Sequence, residues 1–159
     1  MDNRPYREAV RAVIFSRDGK VCLCSKPFKG VTYYAFPGGG VEGSDSHETT
    51  VQKECLEEVG IVVTNVKSLN KSIQYDMVWP NPERAKMYRG GHDHYYSADF
   101  VRVDMKHFNS EGDGLKYDWY TVDQAINLIK SNEKTAISLN QIDVLKSVRS
   151  KNLSGFKAW

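Results

Sequence analysis

Three carboxylates stand close together just before a glycine in the stretch 53–61, which reads Lys-Glu-Cys-Leu-Glu-Glu-Val-Gly-Ile. Glu54, Glu57 and Glu58 are spaced i, i+3 and i+4, so a helix would place them on one side. Each acid near a helix C-terminus is unfavourable by a few tenths to about 1 kcal/mol, because the helix dipole is negative there. A divalent cation would relieve this repulsion, and oxygen ligands suit Mg²⁺, Mn²⁺ or Ca²⁺. The alternative interpretation is a solvated acidic helix face.

A glycine-rich turn, Phe-Pro-Gly-Gly-Gly-Val-Glu-Gly at 36–43, precedes this helix. So many glycines indicate tightly folded backbone or a close approach of another group. Asp45 followed three residues later by Glu48 predicts a capping box. We therefore expect a helix over about 46–58 that ends at Gly60.

The same helix carries an apolar stripe of Val51, Cys55 and Val59, which lies beside the acids rather than opposite them. One side of the helix would pack into the protein while its neighbour presents carboxylates to a cleft. The glycine turn would then offer backbone carbonyls or amides to the same metal ion and to phosphates.

These residues resemble the signature of the Nudix hydrolases. The family's box is a Gly, five residues, a Glu, seven residues, then Arg-Glu-U-x-Glu-Glu-x-Gly-U, where U is aliphatic. Counting from Gly39, this chain keeps that register without a gap over the 23 residues to Ile61. The sequence Phe-Pro-Gly-Gly at 36–39 also resembles the family's lead-in.

Three positions depart from the box: Asp45 replaces Glu, Lys53 replaces Arg, and Cys55 takes an aliphatic place. In the family the replaced Glu and Arg brace the loop against the helix. Lysine is a point charge whereas arginine forms a planar fork with a carboxylate, so the exchange is not neutral. We expect these exchanges to make the loop less rigid rather than to abolish the catalytic chemistry.

The resemblance implies an α/β fold, a Nudix-type α/β/α sandwich with a mixed β-sheet between helices. A chain of 159 residues has the size of one domain, so we expect a single Nudix hydrolase domain over 1–159. A turn at Asp18-Gly19 should join the first two strands. Strands are predicted at 9–15, 21–25, 31–36, 61–64, 67–77 and 94–103, and further helices at 121–130 and 138–151.

The composition of the chain bears on its partners and on the cellular compartment that we expect. A net charge of +2 is too small to indicate nucleic-acid binding by itself. Three cysteines, Cys22, Cys24 and Cys55, suit a reducing compartment better than a disulfide framework or a zinc site. The N-terminus lacks the apolar core of a signal peptide, and no apolar run has membrane-spanning length. We expect a cytoplasmic protein without a membrane partner, and a homodimer stays open.

The segment 78–93 combines prolines and glycines with three cations, Arg84, Lys86 and Arg89. Loops of this length are uncommon unless they are functional or mobile. We consider a lid that brings Arg84 and Arg89 to a polyphosphate, against a plain solvated loop. The His-Asp-His sequence at 92–94 resembles a metal-binding pair, but this spacing is common by chance.

Other candidates for the site lie outside the box. Lys26 follows the second predicted strand, where the family often keeps a cation that faces phosphates. In some Nudix enzymes a loop at this place in the chain supplies an additional carboxylate to the site. Glu111 is the first candidate for that role here, and Asp113 is the weaker one. Tyr75 is a candidate for stacking on a base. The other aromatic candidates are Tyr33, Tyr34, Tyr95, Tyr96, Trp119 and Tyr120.

The resemblance implies hydrolysis of a nucleoside diphosphate linked to another group, with Mg²⁺, or Mn²⁺, as cofactor. Glu54, Glu57 and Glu58 would bind the metal with the Gly38 carbonyl, and Gly39 would contact substrate. A carboxylate, Glu54 or one at 111–113, would take the proton of the attacking water.

The sequence does not identify a single substrate. A MutT-like nucleoside triphosphate is the first candidate, since the family's signatures for ADP-ribose and dinucleoside polyphosphates do not fit. ADP-ribose, nucleotide sugars, dinucleoside polyphosphates and a 5′-triphosphate RNA end are the alternatives. A non-catalytic nucleotide-binding sensor is the alternative from a different class of function.

Overall fold

The computed structural model describes residues 1–108, 116–131 and 135–155. The strands are β1 Tyr6–Phe15, β2 Val21–Phe28, β3 Val31–Ala35, β4 Gly38–Gly40, β5 Ile61–Asp76, β6 Gly90–Val103 and β7 Lys116–Tyr120. The helices are α1 His47–Val59, α2 Pro82–Met87, α3 Val122–Lys130 and α4 Ala136–Gly155, with a 3₁₀ turn at Met105–His107.

The strands of the described residues form one mixed sheet. Its main order is β3-β2-β1-β6-β5, with β4 paired to β1 and β7 paired to β2. The central pair β1–β6 is parallel, whereas the other pairs are antiparallel. β1 therefore borders both the glycine strand β4 and the long strand β6, which places it at the centre of the candidate site.

Alternation along the strands divides the core into two parts, one on each face of the sheet. On one face Val10, Ala12 and Ile14 of β1 pack with the stripe of α1 that the sequence predicts. On the other face Val13 packs with apolar residues of α3 and α4. The apolar residues of these two helices are Val122, Ala125, Ile126, Ile129, Ile142, Val144, Leu145 and Val148. The predicted arrangement of a mixed sheet between helices is confirmed.

The box helix α1 begins and ends with recognisable caps. The N-cap is Ser46, whose side chain accepts a hydrogen bond from the backbone N–H of Thr49. The predicted capping box of Asp45 and Glu48 is wrong, because Asp45 lies one residue too early. At the other end Gly60 adopts a left-handed φ of 65°, as its predicted place in the C-terminal cap requires.

Two other predictions change in the structure. The strands expected at 61–64 and 67–77 are one strand, β5, whose bulges contain Asn65 and Asn70 at positive φ. The segment 78–93 is not one long loop, because Asn81 caps the short helix α2 and β6 begins at Gly90. The short strands β4 and β7 were not predicted.

The described residues include no helix that is long and apolar enough to cross a membrane. This agrees with the absence of a long apolar run in the sequence.

Candidate active site

The glycine strand β4 contacts Glu54 and Glu58 of the helix α1, while Glu57 lines the adjoining cleft. The carboxylate of Glu54 lies directly against Gly39, where a Cβ atom would be 2.6 Å from both of its oxygens. The backbone N–H of Gly38 donates a hydrogen bond to Oε2 of Glu58 at 3.2 Å. Only glycine at position 39 leaves room for a carboxylate this close to the backbone.

Burial and mutual repulsion keep Glu54 and Glu58 from ionising easily. Burial, followed by the charges of Glu58, Glu57 and Glu42, raises the pKa of Glu54 to about 7, while Arg11 opposes the rise. Burial also raises the pKa of Glu58, against the opposing effects of Arg11 and the Gly38 N–H. The negative charge of the ionised carboxylates would therefore exceed the positive charge that the surrounding protein groups supply.

The acidic cluster fits a hard divalent cation on three observations. Its donors are carboxylate oxygens, the ligands that Mg²⁺ and Mn²⁺ prefer. Gly39 lets the Glu54 carboxylate approach the backbone of β4 directly. Glu42, which the sequence analysis did not single out, lines the cleft beside β4 together with Glu54 and Glu57. The cleft is lined by Gly40, Glu42, Asp45, Thr50, Lys53, Glu54 and Glu57.

The departures from the box at 45 and 53 still form a pair. Nζ of Lys53 donates to Oδ2 of Asp45 at 3.0 Å, and both side chains are partly exposed. The pair joins the loop before α1 to the middle of the helix, as the brace of the family would. Since exposed ion pairs contribute about 0–1 kcal/mol, it is a weak brace.

Cationic groups lie on the other side of β4. The guanidinium of Arg7 packs against Gly40, where a Cβ atom would overlap it. Arg7 and Arg84 both lie over the ring of Trp79, at 5.7 and 5.4 Å from its centroid. In the described part of the chain neither guanidinium forms a salt bridge, and burial together with the charge of Arg84 lowers the pKa of Arg7. Two like charges on one indole form a site suited to an anion.

A third arginine is held in a network close to the acids. Nε of Arg11 donates to Oδ2 of the buried Asp93 at 3.2 Å, and the hydroxyl of Tyr75 donates to Oδ1 of the same carboxylate at 3.2 Å. Burial and the charge of Asp93 raise the pKa of Tyr75 to about 12. Tyr75, predicted as a stacking residue, thus lies near the site but uses its hydroxyl to orient Asp93.

The remaining predicted residues lie away from the acids or outside the described chain. Arg89 forms a salt bridge with Asp76 at 3.3 Å and lies over the ring of Tyr6. Lys26 is exposed in β2, opposite Tyr33 of β3. Glu111 and Asp113 fall outside the described residues, so their predicted role stays a prediction.

Arg7, Arg11 and Trp79 were missed by the sequence analysis. One signal was present: Arg11 interrupts the apolar run Ala-Val-Arg-Ala-Val-Ile at 9–14. A cation inside a buried strand requires a partner, which here is Asp93. Trp79 had no comparable signal, because only the fold of α2 brings Arg84 next to it.

Comparison with known proteins places these features in a family. The model of the NUDIX domain family matches residues 5–144, which contain the glycine strand, the acidic helix and all three arginines. The chain belongs to the Nudix family. Nudix hydrolases generally use divalent metals, which agrees with the acidic cluster of this member.

Relatives with known names share parts of this Nudix chain. An RNA pyrophosphohydrolase of Wolbachia pipientis subsp. Culex pipiens (strain wPip) is 31% identical over 74 residues, which are 46% of this chain and 45% of that protein. The matched stretch spans less than half the length of the first curated relatives.

Solved structures share the Nudix fold over nearly the whole chain. A MutT structure, from work on Aliivibrio salmonicida and Vibrio cholerae, has a TM-score of 0.60 at 18% identity and covers 89% of this chain and 98% of its own. A crystal structure of an ADP compounds hydrolase has a TM-score of 0.70 at 18% identity and covers 98% of this chain and 78% of its own. The predicted fold and family are confirmed.

Proposed function

We propose that the protein is a Mg²⁺-dependent pyrophosphohydrolase that cleaves nucleoside diphosphates linked to another group. One observation carries this proposal: the carboxylate of Glu54 lies on Gly39, and the guanidinium of Arg7 lies on the adjacent Gly40. Negative groups that attract a metal ion and positive groups that attract phosphates therefore meet across one short strand. In this proposal the phosphates of the substrate contact the positive groups, and their metal counter-ion contacts the acids.

The acids and the arginines have separate roles in this proposal. A divalent ion held by Glu54, Glu57 and Glu58, with the Gly38 carbonyl, would neutralise phosphate charge and lower the pKa of water. Arg7 and Arg84 orient the polyphosphate from the opposite side through charge-assisted hydrogen bonds. Gly39 and Gly40 allow the Glu54 carboxylate and the Arg7 guanidinium to lie directly on the backbone of β4.

The bond changes follow from these positions. The oxygen of a water molecule forms a bond to one phosphorus, the bond from that phosphorus to the bridging oxygen breaks, and a carboxylate takes the proton. Glu54 and Glu111 are the proposed proton acceptors. The leaving phosphate or nucleotide departs with the bridging oxygen.

A nucleoside triphosphate, cleaved as in MutT-type hydrolysis, is the first proposed substrate. The second candidate is the 5′-triphosphate end of an RNA, because the Wolbachia relative is named an RNA pyrophosphohydrolase. The half-buried ring of Trp79, with Arg84 over it on the helix α2, adds an aromatic and cationic surface next to the phosphate side. Such a surface suits a base or ribose that follows the triphosphate.

The test is release of phosphate or pyrophosphate with Mg²⁺ across nucleoside triphosphates, ADP-ribose, nucleotide sugars, dinucleoside polyphosphates and a triphosphorylated RNA oligonucleotide. Turnover of one class that disappears in Glu57→Gln/Glu58→Gln supports the proposal. Nucleotide binding without any turnover would favour the sensor instead.

Two arginines of the same segment form a matched pair for the phosphate contact. Arg84→Gln should raise KM about tenfold or more with a smaller change in kcat, because its charge faces the proposed polyphosphate. Arg89→Gln is the control, since Arg89 is engaged by Asp76. Equal effects of the two substitutions on KM would contradict the proposed role of Arg84.

A further inference from the structure

A second group of chemically active side chains lies beside α1, apart from the acids of the box. It consists of Glu8 in β1, His92 and His94 in β6, and His47, the first residue of α1. The donor atoms of Glu8, His47 and His94 all lie within 4.8 Å of one another. We call these three residues the His–Glu cluster.

The pairing of β1 with β6 explains why these residues meet. Glu8 is opposite His92 and Val10 is opposite His94 in this parallel pair. Side chains at alternate positions share one face of a sheet, so Glu8 and His94 face the side on which Val10 packs with α1. Arg7 points to the opposite face, which separates the His–Glu cluster from the proposed phosphate contacts.

The helix geometry separates the cluster from the box acids as well. His47 and Glu54 lie on the same side of α1 but two turns apart, roughly 10 Å along the axis. One ion cannot bind both groups at that separation, because metal–ligand bonds are about 2 Å long.

Hydrogen bonds hold the side chains of the cluster together, and one of them joins two of its three residues. Nε2 of His94 lies 2.5 Å from Oε2 of Glu8, and Nδ1 of His92 lies 3.0 Å from Oε1 of the same carboxylate. Nδ1 of His47 lies 2.7 Å from the hydroxyl of Tyr96, and a partner on one ring nitrogen leaves the other for an ion. His92 and Tyr96 would thus orient the ligands from outside.

We propose that Glu8, His47 and His94 form a binding site for a divalent transition-metal ion of the Zn²⁺ type. Two imidazoles and one carboxylate are a donor set that Zn²⁺ accepts, with a fourth position for water, whereas Mg²⁺ prefers oxygen ligands alone. Ligand atoms around tetrahedral Zn²⁺ are roughly 3.3 Å apart. The ion would therefore replace the hydrogen bond between Nε2 of His94 and Oε2 of Glu8, and rotation of the half-buried histidines would adjust the other distances. An ion at this site would link the N-terminal end of α1 to β1 and β6, and so support the helix that carries the box acids.

The experiment is a Co²⁺ and Zn²⁺ titration of the EDTA-treated full chain in excess Mg²⁺, which occupies the box acids. The wild type should bind one Co²⁺ with the strong visible absorption of tetrahedral coordination, and Zn²⁺ should displace it. His47→Gln and His94→Gln should each lower affinity at least tenfold. His107→Gln is the matched control, since it removes the remaining histidine of the chain and should leave binding unchanged.

A second measurement needs no variant and so does not depend on their folding. In NMR spectra of the wild type, Zn²⁺ should shift the ring signals of His47 and His94 and leave those of His107 in place. Wild-type affinity in His47→Gln/His94→Gln, or ring shifts absent at both histidines, would overturn the proposal. Neither readout uses hydrolysis, so failure here leaves the proposed hydrolase intact, and an inactive enzyme leaves this site intact.

Discussion

The carboxylate of Glu54 is held where its ionised form is disfavoured until a cation arrives. It is half-buried beside Gly39, and the neighbouring acids raise its pKa further after burial has done so. The arrangement resembles many functional sites, where local electrostatic strain is kept because a ligand relieves it. Its consequence is a dependence of stability on pH that the metal-free protein should show.

This dependence has a definite sign. The folded state keeps a proton on Glu54 up to about pH 7, whereas the unfolded chain loses it near 4.5. In EDTA the free energy of unfolding should therefore fall as pH rises through this window. Glu54→Gln should flatten the fall and exceed the wild type at about pH 8 by about 1 kcal/mol, because solvent screens much of the repulsion at this half-buried carboxylate, as measured by urea unfolding.

Saturating Mg²⁺ provides the control for that prediction. The ion favours the ionised carboxylate, so it should restore the stability of the wild type at high pH more than that of Glu54→Gln. An identical pH slope for the two proteins in EDTA would show that Glu54 is not the group responsible.

The network of Arg11, Asp93 and Tyr75 is a second feature at the residue scale. Asp93 is 2% exposed and is the partner of Arg11, so its loss leaves a half-buried guanidinium unpaired. Asp93→Leu should destabilise the protein by about 3 kcal/mol, and Tyr75→Phe by about 1 kcal/mol. In a double-mutant cycle, adding Arg11→Met to Asp93→Leu should recover part of the loss in urea unfolding. Strictly additive effects would argue against the pair.

At the scale of elements, the sequence motif predicts most features of α1 but not its N-cap. The acids, the apolar stripe and Gly60 occupy their predicted places, because their spacing follows the helix period. The N-cap is one residue off, since Ser46 and Asp45 are both good caps and the sequence alone does not choose between them. The choice leaves Asp45 free to pair with Lys53.

Two substitutions distinguish the cap from the ion pair. Ser46→Ala should lower the free energy of unfolding by about 1 kcal/mol at any salt concentration, because it removes the hydrogen bond to Thr49. Asp45→Ala should cost less than about 1 kcal/mol and lose its effect in high salt, because it breaks a partly exposed ion pair. Urea unfolding at low and high NaCl measures both. A larger, salt-independent effect of Asp45→Ala would show that Asp45, and not Ser46, is the N-cap of α1.

At the scale of the whole molecule, one of the two parts of the core encloses all three cysteines. Cys22, Cys24 and Cys55 are buried on the α1 side of the sheet, as free thiols. Burial raises the pKa of Cys24 to about 12 and raises those of Cys22 and Cys55 as well. Buried thiols of this kind are unreactive, because burial disfavours the thiolate form.

Thiol labelling therefore reports on opening of the whole core. The native protein should react with DTNB only as fast as it unfolds, and all three thiols should react at once in concentrated guanidinium. Rapid labelling of one thiol under native conditions would show a local opening of β2 or α1 that the packed core does not predict.

The sequence by itself determined the fold class, the box helix and the acids at its end. These depend on short-range spacing, which residues impose on their own helix through its fixed period. It also determined β1 and β2, whose alternation and glycine turn are local signals. The continuous strand β5 was not predictable in this way, because its bulges exist only through pairing with β6.

The tertiary structure alone decided which cations join the site. Arg84 and Arg89 look equivalent in the sequence, yet α2 turns Arg84 onto Trp79 beside Arg7 while Asp76 engages Arg89. The register of β1 with β6 likewise set Arg11 against Asp93, and Glu8 against His92 and His94. Contacts between residues about eighty positions apart depend on strand pairing, and no local pattern in the chain encodes them.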